Sequence, residues 1–264
     1  MMHGSSPERR SGLLEALRES GITCALSDTP MGVYGGVHGG TGEEAYGEGD
    51  KGGETPSSSF DGASDMALAL RSVSSVDELE ARVRHCDGGD LKKTAMNTVF
   101  ARGNPRASLM LIGEAPGNEE DRQGKPFVGE SGMLLDKILY WAGFDVSMDC
   151  YITNMIFWRP PGNRTPRDEE IALCRPFVEC HIALVKPKIV LFVGGTAAKH
   201  LLHSSKGITQ LRQGWHRYHS TFLGSHEIMA KAIFHPAYLL RSPSHKRFVW
   251  RDIIDVRAKL GAMD

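Results

Sequence analysis

Leu109-Met110-Leu111-Ile112-Gly113-Glu114-Ala115-Pro116-Gly117 opens the stretch that decides the fold. Gly124-Lys125-Pro126-Phe127-Val128-Gly129 and then Met133-Leu134-Leu135-Asp136-Lys137-Ile138-Leu139 complete it. The first four residues are a short apolar run of the kind a buried parallel strand needs. Two glycine loops follow, separated by the acidic cluster Glu119-Glu120-Asp121, and an amphipathic helix closes the unit. Strand, glycine loops and helix in this order place backbone N–H groups and a few side chains at the carboxyl edge of an α/β sheet, where ligands bind.

Outward from this unit, the chain repeats the pattern. Apolar strands are expected at 108–113, 150–155, 188–194 and 228–234. Helices are expected between them at 132–142, 167–185 and 196–203, and a last one begins at Ser242-Pro243 and runs to Leu260. Alternating strands and helices predict an α/β fold in three α/β/α layers around a central four-stranded, mostly parallel sheet. Ser75 with Glu78 reads as a capping box opening a helix, and Thr165-Pro166 as the start of the long one. Leu13-Leu14-Glu15-Ala16-Leu17 is expected to form a short helical segment within residues 1–28. Residues 29–70, rich in Gly, Ser and acid, bury too little apolar surface to order themselves and are expected to be a disordered acidic linker. The α/β domain then spans 71–264.

Composition narrows the function classes. No run of about 18 apolar residues exists, so no membrane span is expected, nor is an apolar leader read at the N-terminus. Cys24, Cys86, Cys150, Cys174 and Cys180 are odd in number and scattered, unlike a disulfide framework, and a reducing cytoplasm is expected. The net charge of −1 hides a division: residues 1–90 carry −9 and residues 91–264 carry +8. A basic globular part suits a polyanionic partner.

Four loops follow the four strands, and in a parallel sheet they meet on one rim. They are Gly113–Gly117; Asn154 with Trp158-Arg159-Pro160-Pro161-Gly162-Asn163-Arg164; Gly194-Gly195-Thr196; and His235-Pro236-Ala237-Tyr238-Leu239-Leu240-Arg241. Together with Glu120-Asp121 and Lys125–Gly129, these segments resemble family 4 uracil-DNA glycosylase from about Leu91 to Leu260. The resemblance implies hydrolysis of the N-glycosidic bond of uracil in DNA, leaving an abasic site, with DNA as partner and a monomeric enzyme.

Such a reaction builds an oxocarbenium-like sugar and a uracil anion, on a base taken out of the stack. The resemblance assigns Phe127 to stack on the base and Asn154 to read its edge, since an amide offers both a donor and an acceptor. It assigns His235 to donate to uracil O2 as the anion forms. Glu114 is the carboxylate that orients the water or balances the cation, and the backbone of Glu114, Ala115 and Pro116 contacts the base. Glu120 is implied to crowd uracil C5 and exclude thymine. Asp121 reads as a solvated acidic residue. Leu239 and Leu240 are implied to wedge into the duplex, with Arg241 on phosphate. Arg159, Arg164, Lys125 and Arg122 are candidate phosphate contacts, and Lys92-Lys93 are placed to face DNA.

The family carries a 4Fe-4S cluster on four cysteines. The corresponding positions here are Cys86, Gly89, Trp158 and Cys174, so two of four ligands remain and a four-thiolate cluster cannot be completed. Cys180 is offset from Cys174 on the helix, and Asp90 is a poor substitute. The cluster is expected to be absent or incomplete, Trp158 to pack in its place, and no cofactor to be required for the chemistry. Two other readings stand beside this one: a DNA-binding module that recognises uracil or abasic sites without turnover, and a nucleotide-binding enzyme. The second lacks both Gly-Lys-Ser/Thr and Gly-x-Gly-x-x-Gly.

Overall fold

The four apolar runs form four parallel strands in a computed structural model that describes residues 61–263. The strands are β2 (Leu109–Gly113), β3 (Cys150–Asn154), β4 (Ile189–Val193) and β6 (Ile228–Ile233). Nearly every residue of each is buried, as strands covered on both faces require. The register runs Leu109 opposite Cys150 and Ile189, and Ile189 opposite Met229.

The sheet has six strands, not four. β1 (Ala101–Gly103) pairs antiparallel with β3, and β5 (Trp215–Tyr218) antiparallel with β6, giving the order β1-β3-β2-β4-β6-β5. Both additions are short edge strands with one neighbour each. Their sequences, Ala-Arg-Gly and Trp-His-Arg-Tyr, carry no apolar run to announce them.

Strand alternation divides the core in two. Met110, Ile112, Val190, Phe192 and Ala230 face α1 (Asp61–Leu70), α2 (Val76–His85), α6 (Asp168–Val185) and α7 (Gly195–Leu201). Leu109, Leu111, Ile189 and Leu191 face α5 (Glu130–Trp141), α9 (Pro236–Arg241) and α10 (Lys246–Gly261). Three layers result, as expected. β2 lies between β3 and β4, and the chain leaves β2 over one face and β4 over the other. The carboxyl ends of β2 and β4 therefore flank a topological switch point, where open α/β sheets bind ligands.

Several local expectations are corrected. Helix α1 lies inside the span expected to be linker, with Leu70 buried against Cys180, so folded structure begins before residue 71. The helical segment at 13–17 and the remainder of the linker lie outside the described residues. Ser75 caps α2 by accepting the Glu78 N–H, but the Glu78 carboxylate accepts from the Ser74 N–H, one residue further back than in a capping box. Arg167, not Thr165, precedes α6, and the Glu170 carboxylate accepts its N–H. The last helix, expected from Ser242-Pro243 to Leu260, is two pieces, a turn of 3-10 helix at Pro243–His245 and α10, and the separate short helix α9 precedes it. Between these elements lie α3 (Gly89–Thr94), α4 (Asn118–Gln123) and α8 (Ile208–Leu211).

Candidate active site

The loops after β2, β3 and β6 surround one cavity of about 670 Å³ at the switch point. Glu114, Ala115, Pro116, Glu120, Phe127, Asn154, Arg164, His235 and Arg241 all border it, although they come from four separate segments. Gly113 makes this convergence possible at its base. A Cβ there would lie 2.4 Å from Asn154 Oδ1 and 2.5 Å from the Phe127 ring, so only glycine admits both side chains.

Phe127 is nearly enclosed, 5% exposed, and its backbone stands at φ 55, in the left-handed region that side chains with a Cβ avoid. Gly132, in the first turn of α5, lets that helix approach: a Cβ on it would lie 1.9 Å from the Phe127 carbonyl oxygen. Asn154 is buried at the end of β3, and its side-chain amide makes no hydrogen bond to another described residue. The side chain borders the cavity, so its donors and acceptors are left for whatever occupies it.

His235 precedes α9. Its Nδ1 accepts the Ala237 N–H at 3.2 Å, which leaves the proton of the neutral ring on Nε2. Burial pushes the imidazole down to about 4; the Glu120 charge opposes this and the Arg241 charge adds to it. The ring stands 5.8 Å from that of Phe127, centroid to centroid. Gly194, at φ 105, brings the β4 loop against it, since a Cβ there would lie 3.3 Å from the His235 Cβ.

Glu114 is held across the switch point. Thr196, in the first turn of α7, donates its hydroxyl to Glu114 Oε2 at 2.6 Å, while Oε1 has no hydrogen bond to another described residue. Thr196 was visible in the sequence only as part of a glycine loop; nothing local marked it as a partner of Glu114.

Glu120 also borders the cavity, but its carboxylate is engaged. Oε1 accepts from Val128 and Gly129 N–H at 2.9 and 2.8 Å, and Oε2 from Gly117 N–H at 3.1 Å. One side chain thus ties the first glycine loop to the second. Asp121 is not solvated: it is 2% exposed, and its Oδ1 accepts from the Met96 and Asn97 N–H groups.

The rim departs from expectation at several points. Leu239 is fully buried in the core beneath α9, so only Leu240, 42% exposed, remains available as a wedge. Arg164 makes a two-pronged pair with Glu170, whose carboxyl it holds below the usual range. Arg159 donates to Asn163 and Asn118, and Arg122 pairs with Glu119. Lys125 and Arg241 are exposed. Lys92 does not face outward: its Nζ donates to the Arg84 and Cys86 carbonyls at the end of α2, while Lys93 is exposed beside Asp90. Tyr238, quoted above without a role, also borders the cavity.

The donor set for an iron–sulfur cluster does not fit. Cys86 and Cys174 are free thiols and close enough that ionising Cys86 opposes ionising Cys174. Burial pushes Cys174 up to about 12 and raises Cys86 as well. Trp158 is buried in the same core cluster as Cys174, with Cys86 packed against it; a Cβ on Gly88 would lie 2.9 Å from its ring, and its Nε1 donates to Thr98 at 3.0 Å. Among the described residues no group of three or more His, Cys, Asp and Glu side chains is arranged to hold a metal ion.

Comparison with known proteins matches this arrangement to one family. The family model for the uracil DNA glycosylase superfamily matches residues 100–254. A type-4 uracil-DNA glycosylase of Thermotoga maritima is 37% identical over 175 residues, covering 65% of this chain and 88% of that protein. Proteins of the same name from Saccharolobus solfataricus and Pyrobaculum aerophilum are 30% and 32% identical, covering 72% and 67% of this chain and 88% and 90% of their own lengths. The matched residues begin at the edge strand and end in the last helix, taking in every loop of the cavity, and the chain belongs to the uracil DNA glycosylase superfamily.

Proposed function

We infer that the protein is a monofunctional uracil-DNA glycosylase of DNA repair, a hydrolase that cleaves the N-glycosidic bond of uracil in DNA and leaves an abasic site. The relatives named type-4 uracil-DNA glycosylase support the activity. The observation that carries the residue roles is that the Asn154 amide, with no side-chain partner among the described residues, lines the same cavity as Phe127 and His235.

In this reading Phe127 stacks on the extruded base. Asn154 Oδ1 accepts from uracil N3–H and its Nδ2 donates to O4; cytosine reverses that pattern and leaves the buried amide unpaired. The Nε2–H of neutral His235 donates to O2 as negative charge gathers there. The Glu114 carboxylate, fixed through Oε2 by Thr196, uses Oε1 to hold the water and to balance the sugar cation. Water oxygen bonds to the sugar C1′, the C1′–N1 bond breaks with its electrons passing to uracil, and the water proton is released. Glu120 holds the two loops in place and, beside C5, leaves no room for a methyl group. Leu240 enters the duplex and Arg241 meets phosphate.

No step uses a metal or cofactor, and the chain holds no complete cluster: Trp158 takes the place of its ligand and Cys86 and Cys174 serve as packed thiols. Partner and setting follow. DNA suits the +8 charge of residues 91–264. A reducing compartment suits the described cysteines, all free, and no helix among the described residues is long and apolar enough to cross a membrane.

The test is a single-uracil oligonucleotide incubated with the protein and then cleaved with alkali. Strand scission by wild type, lost in His235→Ala and Asn154→Ala, supports the roles. Binding without scission overturns them in favour of a recognition module.

A further inference from the structure

The Phe127 segment is gripped from both sides. Its N–H groups at Val128 and Gly129 are held by Glu120. Its carbonyls are held by Arg102 of β1, a residue that no motif marks. Arg102 Nε donates to the Pro126 carbonyl at 2.8 Å and Nη2 to the Phe127 carbonyl at 3.1 Å. The same Nη2 meets Asp136 Oδ1 of α5 at 2.6 Å, so the guanidinium is itself oriented.

We propose that Arg102 is a positioning residue for the reaction: its fork holds the left-handed backbone of Phe127 and so fixes the ring over the cavity. The proposal rests on the reading of Phe127 as the stacking ring. A side chain with a Cβ leaves φ 55 unless its surroundings hold it there. The planar guanidinium spans two successive carbonyls and a carboxylate at once, which a single ammonium cannot do. Arg102 is only 18% exposed and its donors point at main-chain carbonyls, so it is not a phosphate contact. It also stands opposite Ile152 on β3, two residues before Asn154. One side chain thereby ties the stacking ring to the strand that carries the edge-reading amide.

The test uses the full chain with Arg102→Gln, Arg102→Lys, Asp136→Asn and Phe127→Ala on the single-uracil oligonucleotide, with free uracil as product inhibitor. Arg102→Gln is expected to lower kcat/KM by about tenfold to a hundredfold. It is expected to weaken inhibition by free uracil in proportion, while affinity for the same oligonucleotide without uracil stays at wild type. Arg102→Lys recovers part of the loss. Asp136→Asn, which keeps both carbonyl bonds, shows a smaller loss of the same kind and serves if Arg102→Gln fails to fold. Wild-type kcat/KM in Arg102→Gln overturns the proposal, as does a loss matched by lower Tm and weaker binding of uracil-free DNA. If Phe127→Ala is impaired and Arg102→Gln is not, only the clamp fails. If Phe127→Ala is itself unimpaired, the stacking role fails first.

Discussion

The ring of Phe127 and the imidazole of His235 stand 5.8 Å apart at a tilt of 32°, although one lies in the loops after β2 and the other follows β6. Neither loop could set that spacing alone. It depends on the parallel register of β2, β4 and β6, and on two glycines, Gly113 and Gly194, that admit the side chains where a Cβ would crowd them. Several measurable outcomes follow from this geometry.

His235→Ala should reduce kcat/KM by about a hundredfold to a thousandfold, the cost of one lost donor at a developing anion. Burial holds the imidazole down to about 4 from an ordinary 6.5. The wild-type profile of kcat/KM against pH should therefore show no inflection near 6.5 from this residue, and NMR titration of its ring should find the neutral form at pH 6.

Stability should fall with acid for the same reason. Burial also holds His181, fully buried between Phe100 and Tyr151, down to about 3. The unfolded chain binds these protons first, so the histidines cost nothing above about pH 6.5 and destabilise increasingly as pH drops toward their folded values. Each contributes a slope of up to about 1.4 kcal/mol per pH unit. Urea unfolding at pH 7 and pH 5 should show the decline, and His181→Gln should make it shallower.

Asn154→Ala should cost activity without stability. The amide makes no bond to another described residue, so its removal strands no partner and Tm should hold or rise. Excision of uracil should drop by about a hundredfold or more, since the base would then meet no matching edge.

Glu120→Ala separates two roles. If its carboxylate mainly holds the glycine loops, loss of three N–H partners should destabilise by about 1–3 kcal/mol and abolish uracil excision. If it mainly excludes a methyl group, the variant should keep its Tm and begin to release thymine. The three short contacts lead us to expect the first outcome.

Leu239→Ala and Leu240→Ala should part company. Leu239 is fully buried and its truncation should cost about 2–5 kcal/mol. Leu240→Ala should leave Tm within about 0.5 kcal/mol equivalent and instead weaken excision from duplex more than from single-stranded DNA.

Much of this was legible in the chain. Leu109–Gly113 and its three apolar counterparts determine a parallel sheet, because buried strands need continuous apolar runs and the intervening helices need their amphipathic stripes. The same order of elements places Glu114, Asn154 and His235 at strand ends on one rim. Cys86 and Cys174, with Gly89 and Trp158 at the other two positions, show from the chain alone that only half of the family's thiolate positions are filled.

What only the tertiary structure decided is every pairing across long sequence separation. Arg102 under Phe127, Thr196 on Glu114 and Asp121 on Met96 are contacts between segments whose local patterns are silent about each other. Edge strands β1 and β5 escape notice because one neighbour demands no apolar run. Leu239 and Leu240 are the same residue type in adjacent places, and only the direction in which α9 lies on α5 buries one and exposes the other. Periodicity is a property of neighbours along the chain; which side chain meets which is set by packing, and packing exists only once the layers have closed.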